Sequence, residues 1–188
     1  MRHRLKPVST RGTLLGVCIG TMLAAAAGCG EGHAIFNVDV FSFLAGEVDT
    51  VDYAAPPVIG AYDTTTTPIE ISMFAGLGES SVDTVRIDVA ANLINVSGDA
   101  NIAFEIYFAA DSASVYGGAP HFSAAGAVSG ADTTAVGGSV TLTDALFSEP
   151  TLWVGIRLGL QNNAASILQG RMALSALDVR IVLNDKVF

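Results

Sequence analysis

In the stretch TLWVGIRLGLQ (151–161), alternate residues Trp153, Gly155, Arg157, Gly159 and Gln161 share one face of an extended chain. An indole and a guanidinium set between glycines suit binding. Mid-strand glycine weakens a sheet and marks places where something approaches the backbone closely. The tryptophan can stack on a sugar ring and Arg157 can hold a carboxylate. Trp153 and Arg157 are therefore the candidate ligand contacts of a carbohydrate or peptide platform. The structural alternative is that a neighbouring loop covers this face, and that Arg157 pairs across strands with an acid such as Glu105.

Other chemistries find less support. The stretch NVSGDAN (95–101) offers Asn95, Asp99 and Asn101, and GEVDTVD (46–52) offers Glu47, Asp49 and Asp52. Neither has the spacing of an EF-hand loop, and calcium needs six or more oxygens. Asn, Asp and Gly at this density read more simply as a hairpin turn. Past residue 29 the histidines are His33 and His121, and no cysteine follows Cys29. The three or four clustered ligands of a zinc site are hard to assemble from that set, so no metal is expected. H-E-x-x-H, G-x-S-x-G and a phosphate-cradling glycine loop are all missing, so no cofactor and no catalytic residues are assigned. The expectation is a protein that is not an enzyme. Paired carboxylates acting as in a glycosidase remain the least specific alternative.

Cys29 has a clearer setting. MRHRLKPVSTRG is basic, TLLGVCIGTMLAAAA is uncharged and mostly apolar, and AAGC (26–29) ends on small residues. A basic end that stays at the cytoplasmic face, a short apolar helix and a small-residue cleavage site form an export signal. With its cysteine, this segment resembles bacterial lipoprotein precursors. The matching residues are Ala26, Ala27, Gly28 and Cys29, with Ala26 in place of the family's usual leucine. The resemblance implies a diacylglycerol on the Cys29 sulfur and cleavage before Cys29. It also implies an export route to the cell envelope, with Gly30 rather than aspartate favouring an outer membrane. The membrane is then a partner through the N-terminal lipid, and a glycan or envelope protein is a further possible partner. Two other fates fit the leader: cleavage after Ala25–Ala27 with release of a soluble protein, or retention of the 19 uncharged residues from Gly12 to Gly30 as an anchor. Cys29 is the only cysteine left after residue 28, which a lipid explains better than chance.

Charge makes nucleic acid a poor partner, and none is expected. Arg2, Arg4, Lys6 and Arg11 lie in the leader, leaving five basic against eighteen acidic residues from Cys29 onward, a net charge of −13. Such a body repels phosphate backbones.

The elements that must position these residues are strands. Period-two alternation runs through IFNVDVFSF (35–43), with Phe36, Val38 and Val40 inward, and through VDTVRIDVA (82–90), with Val85, Ile87 and Val89 inward. It continues in NIAFEIYFA (101–109) and in TLWVGIRLGL (151–160). RMALSALDVRIVLND (171–185) changes phase near Ser175–Ala176, as a β-bulge would produce. Turn signals separate these rows: AAPPVIG, AGLGESS, VSGDAN, YGGAP and AVGG. DTTTTP (63–68) reads as a strand edge or extended loop. TDALFSEP (143–150) is the single helical turn, capped by Thr143 or Asp144 and ended by Pro150.

Seven to nine short strands predict an all-β fold. The expected architecture is a single antiparallel β-sandwich over 35–188, jelly-roll or immunoglobulin-like. A cleaved signal helix (1–28) and a short anchor segment (29–34) precede it. A closed outer-membrane barrel is disfavoured by the polar residues Lys186, Asn184 and Arg180 in the alternating positions before Phe188, and by the few aromatic residues available for girdles.

Overall fold

The computed structural model describes residues 32–44, 46, 49–73 and 81–185. Cys29, the signal segment, Glu47 and AGLG (75–78) lie outside the described residues. The elements are β1 (Gly32–Asp39), α1 (Phe41–Leu44), β2 (Thr50–Ala55), β3 (Gly60–Thr65), β4 (Ile69–Ser72), β5 (Ser81–Ser97) and β6 (Asp99–Ala109). There follow β7 (Phe122–Ser129), β8 (Thr133–Leu142), a 3-10 turn (Ala145–Ser148), β9 (Thr151–Asn162) and β10 (Leu168–Asp185).

These strands form two antiparallel sheets. Sheet I has the order β1-β10-β5-β8, and β2 continues the β1 edge by pairing with the first half of β10. Sheet II has the order β3-β9-β6-β7, and β4 extends the β3 edge along β9. Counting each split edge as one strand gives eight strands. The chain visits the sheets in the sequence I, II, I, II, II, I, II, I. That is the double Greek key of a jelly roll, one of the two sandwich types expected.

Alternation builds the core. Val85, Ile87 and Leu93 from sheet I face Ile102, Phe104, Ile106, Ile156 and Leu158 from sheet II, all fully buried. Removing such rows from water is the main favourable term in folding. In β10 the register shifts between Leu174 and Ala176, where the bulge was expected. Ser175, the extra residue, donates its hydroxyl to the Ala90 carbonyl at 3.0 Å. The 3-10 turn starts on Asp144, whose Oδ1 accepts the Leu146 N–H at 2.9 Å.

Three expectations need correction. The strand expected over 35–43 stops at Asp39. There Asp39 Oδ1 accepts the Ser42 N–H at 3.2 Å and Ser42 Oγ donates to the Asp39 carbonyl, so Phe41–Leu44 coils into α1. A short polar side chain bonding nearby backbone competes with the ladder in this way. AVGG is not a turn: Val136, Gly137 and Gly138 lie within β8, paired with Ala91, Ala90 and Val89. β5 runs seven residues past Ala90, to Ser97, because Ala91, Leu93 and Asn95 extend its inner row.

Pairing directions define two ends. The apex gathers the turns β2–β3, β5–β6, β7–β8 and β9–β10. The base holds the start of β1, the end of β10 and the loop 110–121.

Candidate functional site

The outer face of sheet II brings together the residues singled out on 151–161. Arg157 lies opposite Glu105 in the β6–β9 register, and its Nε donates to Glu105 Oε2 at 2.7 Å. The Tyr107 hydroxyl donates to the same carboxylate at 2.8 Å, and the Arg157 guanidinium carbon sits 5.4 Å from the centre of the Tyr107 ring. This cation–π contact and the charge-assisted bond hold Arg157 flat on the sheet. Trp153 is half-buried in a small second core with Tyr107, Ala109, Val115 and Tyr116. Tyr107 and Tyr116 meet edge to face at 5.4 Å.

The loop 110–121 makes this cover. Asp111 accepts the N–H groups of Ala113 and Ser114, both at 3.0 Å, which turns the chain back over β9. Tyr116 then donates its hydroxyl to the Thr66 carbonyl at 2.7 Å, spanning the gap between β3 and β4. What approaches Gly155 is therefore the protein's own loop. A methyl group at Gly155 would stand 2.7 Å from Val115 Cγ1 and from Tyr116 Cζ. Further along, the face opens into a shallow, mainly apolar trough of about 280 Å³ around Ala61, Ala103, Ala125 and Gly159.

His121 is locked near the base. Its Nδ1 accepts the Phe108 N–H at 3.1 Å, leaving Nε2 to face Asp144 Oδ2 at 3.4 Å, while its ring packs on Phe108 and Phe147. His33 is exposed on β1.

The Asn95 stretch ends β5 and enters a tight turn to β6, the hairpin expected over 95–101. Asn95 is buried; its amide donates to the carbonyls of Gly98 and Gly130 at 2.9 and 2.6 Å, and its Oδ1 accepts the Tyr53 hydroxyl at 3.0 Å. Gly98 holds φ +87° at the tip of the β5–β6 turn, a left-handed conformation that suits glycine. No group of three His, Cys, Asp or Glu able to hold a metal occurs among the described residues.

Burial marks two tyrosines of these clusters. Desolvation pushes Tyr53 up to about 12, and desolvation followed by the bond to Glu105 pushes Tyr107 up to about 12. An unfolded tyrosine ionises near 10. Above pH 10 the unfolded chain thus binds fewer protons than the fold, and stability falls as pH rises from about 10 to about 12. The expected result is a phenolate absorbance step at 295 nm coincident with loss of the β-sheet circular dichroism. Ionisation of these tyrosines at pH 10 with the sheet signal intact would contradict the burial argument.

Sheet I carries a second polar surface that sequence reading missed. A groove of about 320 Å³ on its outer face is lined by Asn37, Asp39, Arg86, Asp88, Asp178 and Arg180. Arg86 grips Asp88 through Nε and Nη2 at 2.8–3.1 Å. Arg86 first, and then Ser139, hold the Asp88 carboxyl below the usual carboxylate range. The signal was present in the alternation of DVR and RID, but only strand pairing sets those residues side by side.

No protein-family model matches the chain, and no curated protein matches it. Among solved structures it is similar to that of infectious bursal disease virus Gx strain, at 8% identity and a TM-score of 0.46, over 84% of this chain and 38% of that one. It is also similar to the Gt strain structure, at 7% identity and 0.45, over 83% of this chain and 34% of that one. The chain spans little more than a third of the length of these solved chains. The jelly-roll assignment stands on the strand order of the two sheets.

Proposed function

We propose that this protein is exported, lipid-anchored through Cys29, and binds or scaffolds at the cell envelope without catalysis. The observation that carries this reading is the AAGC box ending a basic, then apolar leader, with Cys29 the last cysteine of the chain. The fold is compatible with it. β1 begins at Gly32, three positions after Cys29 and at the base of the sandwich, so a lipid on Cys29 would hold the base within about 10 Å of the bilayer. The apex then points outward, where the exposed side chains of Val58, Ile59, Val96 and Ile167 are available to a partner.

Mass spectrometry of the mature N-terminus from native cells is the test. The expected product begins at Cys29, carries a thioether-linked diacylglycerol and enters the detergent phase. Cys29→Ala should yield a protein that stays in the aqueous phase. An unmodified wild-type chain beginning at Gly28 or Cys29 would overturn the proposal.

A second reading, a carbohydrate- or small-ligand-binding module using Trp153 and Arg157, is favoured by the open trough around Gly159, two residues along β9 from Arg157. Since Trp153 is half-buried and Arg157 is paired with Glu105, a ligand there would rest chiefly on the trough floor.

A further inference from the structure

Three strands of sheet I sort their outward charges by sign. In register, Asn37 on β1 lies opposite Arg180 on β10, and Arg180 lies opposite Arg86 on β5. Two residues along, Asp39 lies opposite Asp178, and Asp178 lies opposite Asp88. One row therefore holds two guanidiniums and the next holds three carboxylates, with the rows roughly 6.8 Å apart along the strands. Directly opposed residues have Cβ atoms about 5 Å apart, where like charges destabilise a sheet. Arg86 relieves its side by gripping Asp88. Arg180 stands in the same relation to Asp178, yet it has no ion-pair partner among the described residues. All six side chains line the same groove.

We propose that this groove binds a small zwitterion, an aminoalkyl phosphate, with its phosphate on the arginine row and its amine on the aspartate row. Guanidinium forks match phosphate oxygens, and an ammonium offers three donors to carboxylates that can only accept. Each half alone fits badly. A bare phosphate would face three carboxylates and a body of net charge −13. A bare amine would face Arg180. Joining the two charges over a few ångströms satisfies both rows at once and replaces the repulsion within each row by attraction. The same chemistry occurs in a free aminoalkyl phosphate and in the headgroup of an aminoalkyl phospholipid.

The test uses the full chain in non-ionic detergent micelles, titrated with O-phosphoethanolamine, methyl phosphate and ethanolamine while arginine Nε–H resonances are followed. O-phosphoethanolamine should bind at least about tenfold more tightly than either half, the worth of one charge-assisted hydrogen bond. Arg180→Gln should weaken it about tenfold while raising the melting temperature by about 2 °C, because the variant removes a like-charge neighbour. Asp178→Asn should erase the preference for O-phosphoethanolamine over methyl phosphate. Micelles doped with phosphatidylethanolamine that compete with the soluble ligand would identify a lipid source, and failure to compete would identify a free one. Equal binding of methyl phosphate and O-phosphoethanolamine, no binding of either, or a lower melting temperature for Arg180→Gln would overturn the proposal.

Discussion

Asn162→Ala is expected to destabilise the domain by about 3 kcal/mol and to lower its melting temperature by roughly 9 °C. Asn162 is fully buried at the apex end of β9. Its amide nitrogen lies 3.0 Å from the Pro56 carbonyl and 3.2 Å from those of Val58 and Ser166, and its Oδ1 accepts the Ala164 N–H at 3.3 Å. Two amide hydrogens serve three acceptors, so one bond is shared. One side chain thereby ties the β2–β3 turn to the β9–β10 turn. Alanine takes the amide donor from the Ser166 carbonyl and the acceptor from the Ala164 N–H, while the Pro56 and Val58 carbonyls keep only the Val58 N–H and the Tyr62 hydroxyl. A polar group left unsatisfied costs about 1–3 kcal/mol. Asn162→Leu restores the volume but not the donors, so it should lose as much as alanine. Asn162→Asp should be worse at neutral pH, because a carboxylate facing carbonyl oxygens can only accept. Thermal melts of the three variants check the claim. If leucine recovers wild-type stability, volume rather than hydrogen bonding holds the apex.

Asn162 also shows where sequence reading stops. The inner row of β9 was legible as Leu152, Val154, Ile156, Leu158 and Leu160, and each of these is buried. One more step of the same period reaches Asn162, a polar residue at a core position, which is a sign of a buried clamp. Asn95 ends the inner row of β5 in the same way. The bulge at Ser175 and the turn at Asp144 were legible because each is written locally, as a change of phase and as a cap. α1 was not, since the competition of Asp39 and Ser42 with the strand is decided by which edge of β10 remains to be paired. The pairing of Arg157 with Glu105 could be named as one alternative from the charges alone. The like-charge rows of sheet I could not be found before the register was known, because no residue in either row neighbours the next strand's partner in sequence.

Gly155→Val is the second large effect expected, a loss of about 3 kcal/mol, against less than about 0.5 kcal/mol for Gly159→Val. Both glycines lie on the outer face of β9, four residues apart, and valine suits an extended strand at either position. The difference lies in what each would touch. At Gly155 a new Cβ stands 2.7 Å from Val115 Cγ1 and Tyr116 Cζ, so the loop 110–121 must lift. Lifting it breaks the bonds of the Tyr116 hydroxyl to the carbonyls of Thr66 at 2.7 Å and Ile156 at 3.2 Å. It also exposes Trp153, whose emission should shift to the red. At Gly159 the nearest atom is Ala103 Cβ at 3.7 Å, an ordinary contact. Comparable losses at both positions would show that the loop does not press on Gly155. The pair also separates structure from binding on this face. A ligand seated in the trough rests on Gly159 and Ala103, so Gly159→Val should abolish glycan binding there while the fold keeps its stability. If glycans bind and Gly159→Val leaves their affinity unchanged, the trough is not the platform, and Trp153 serves the second core alone.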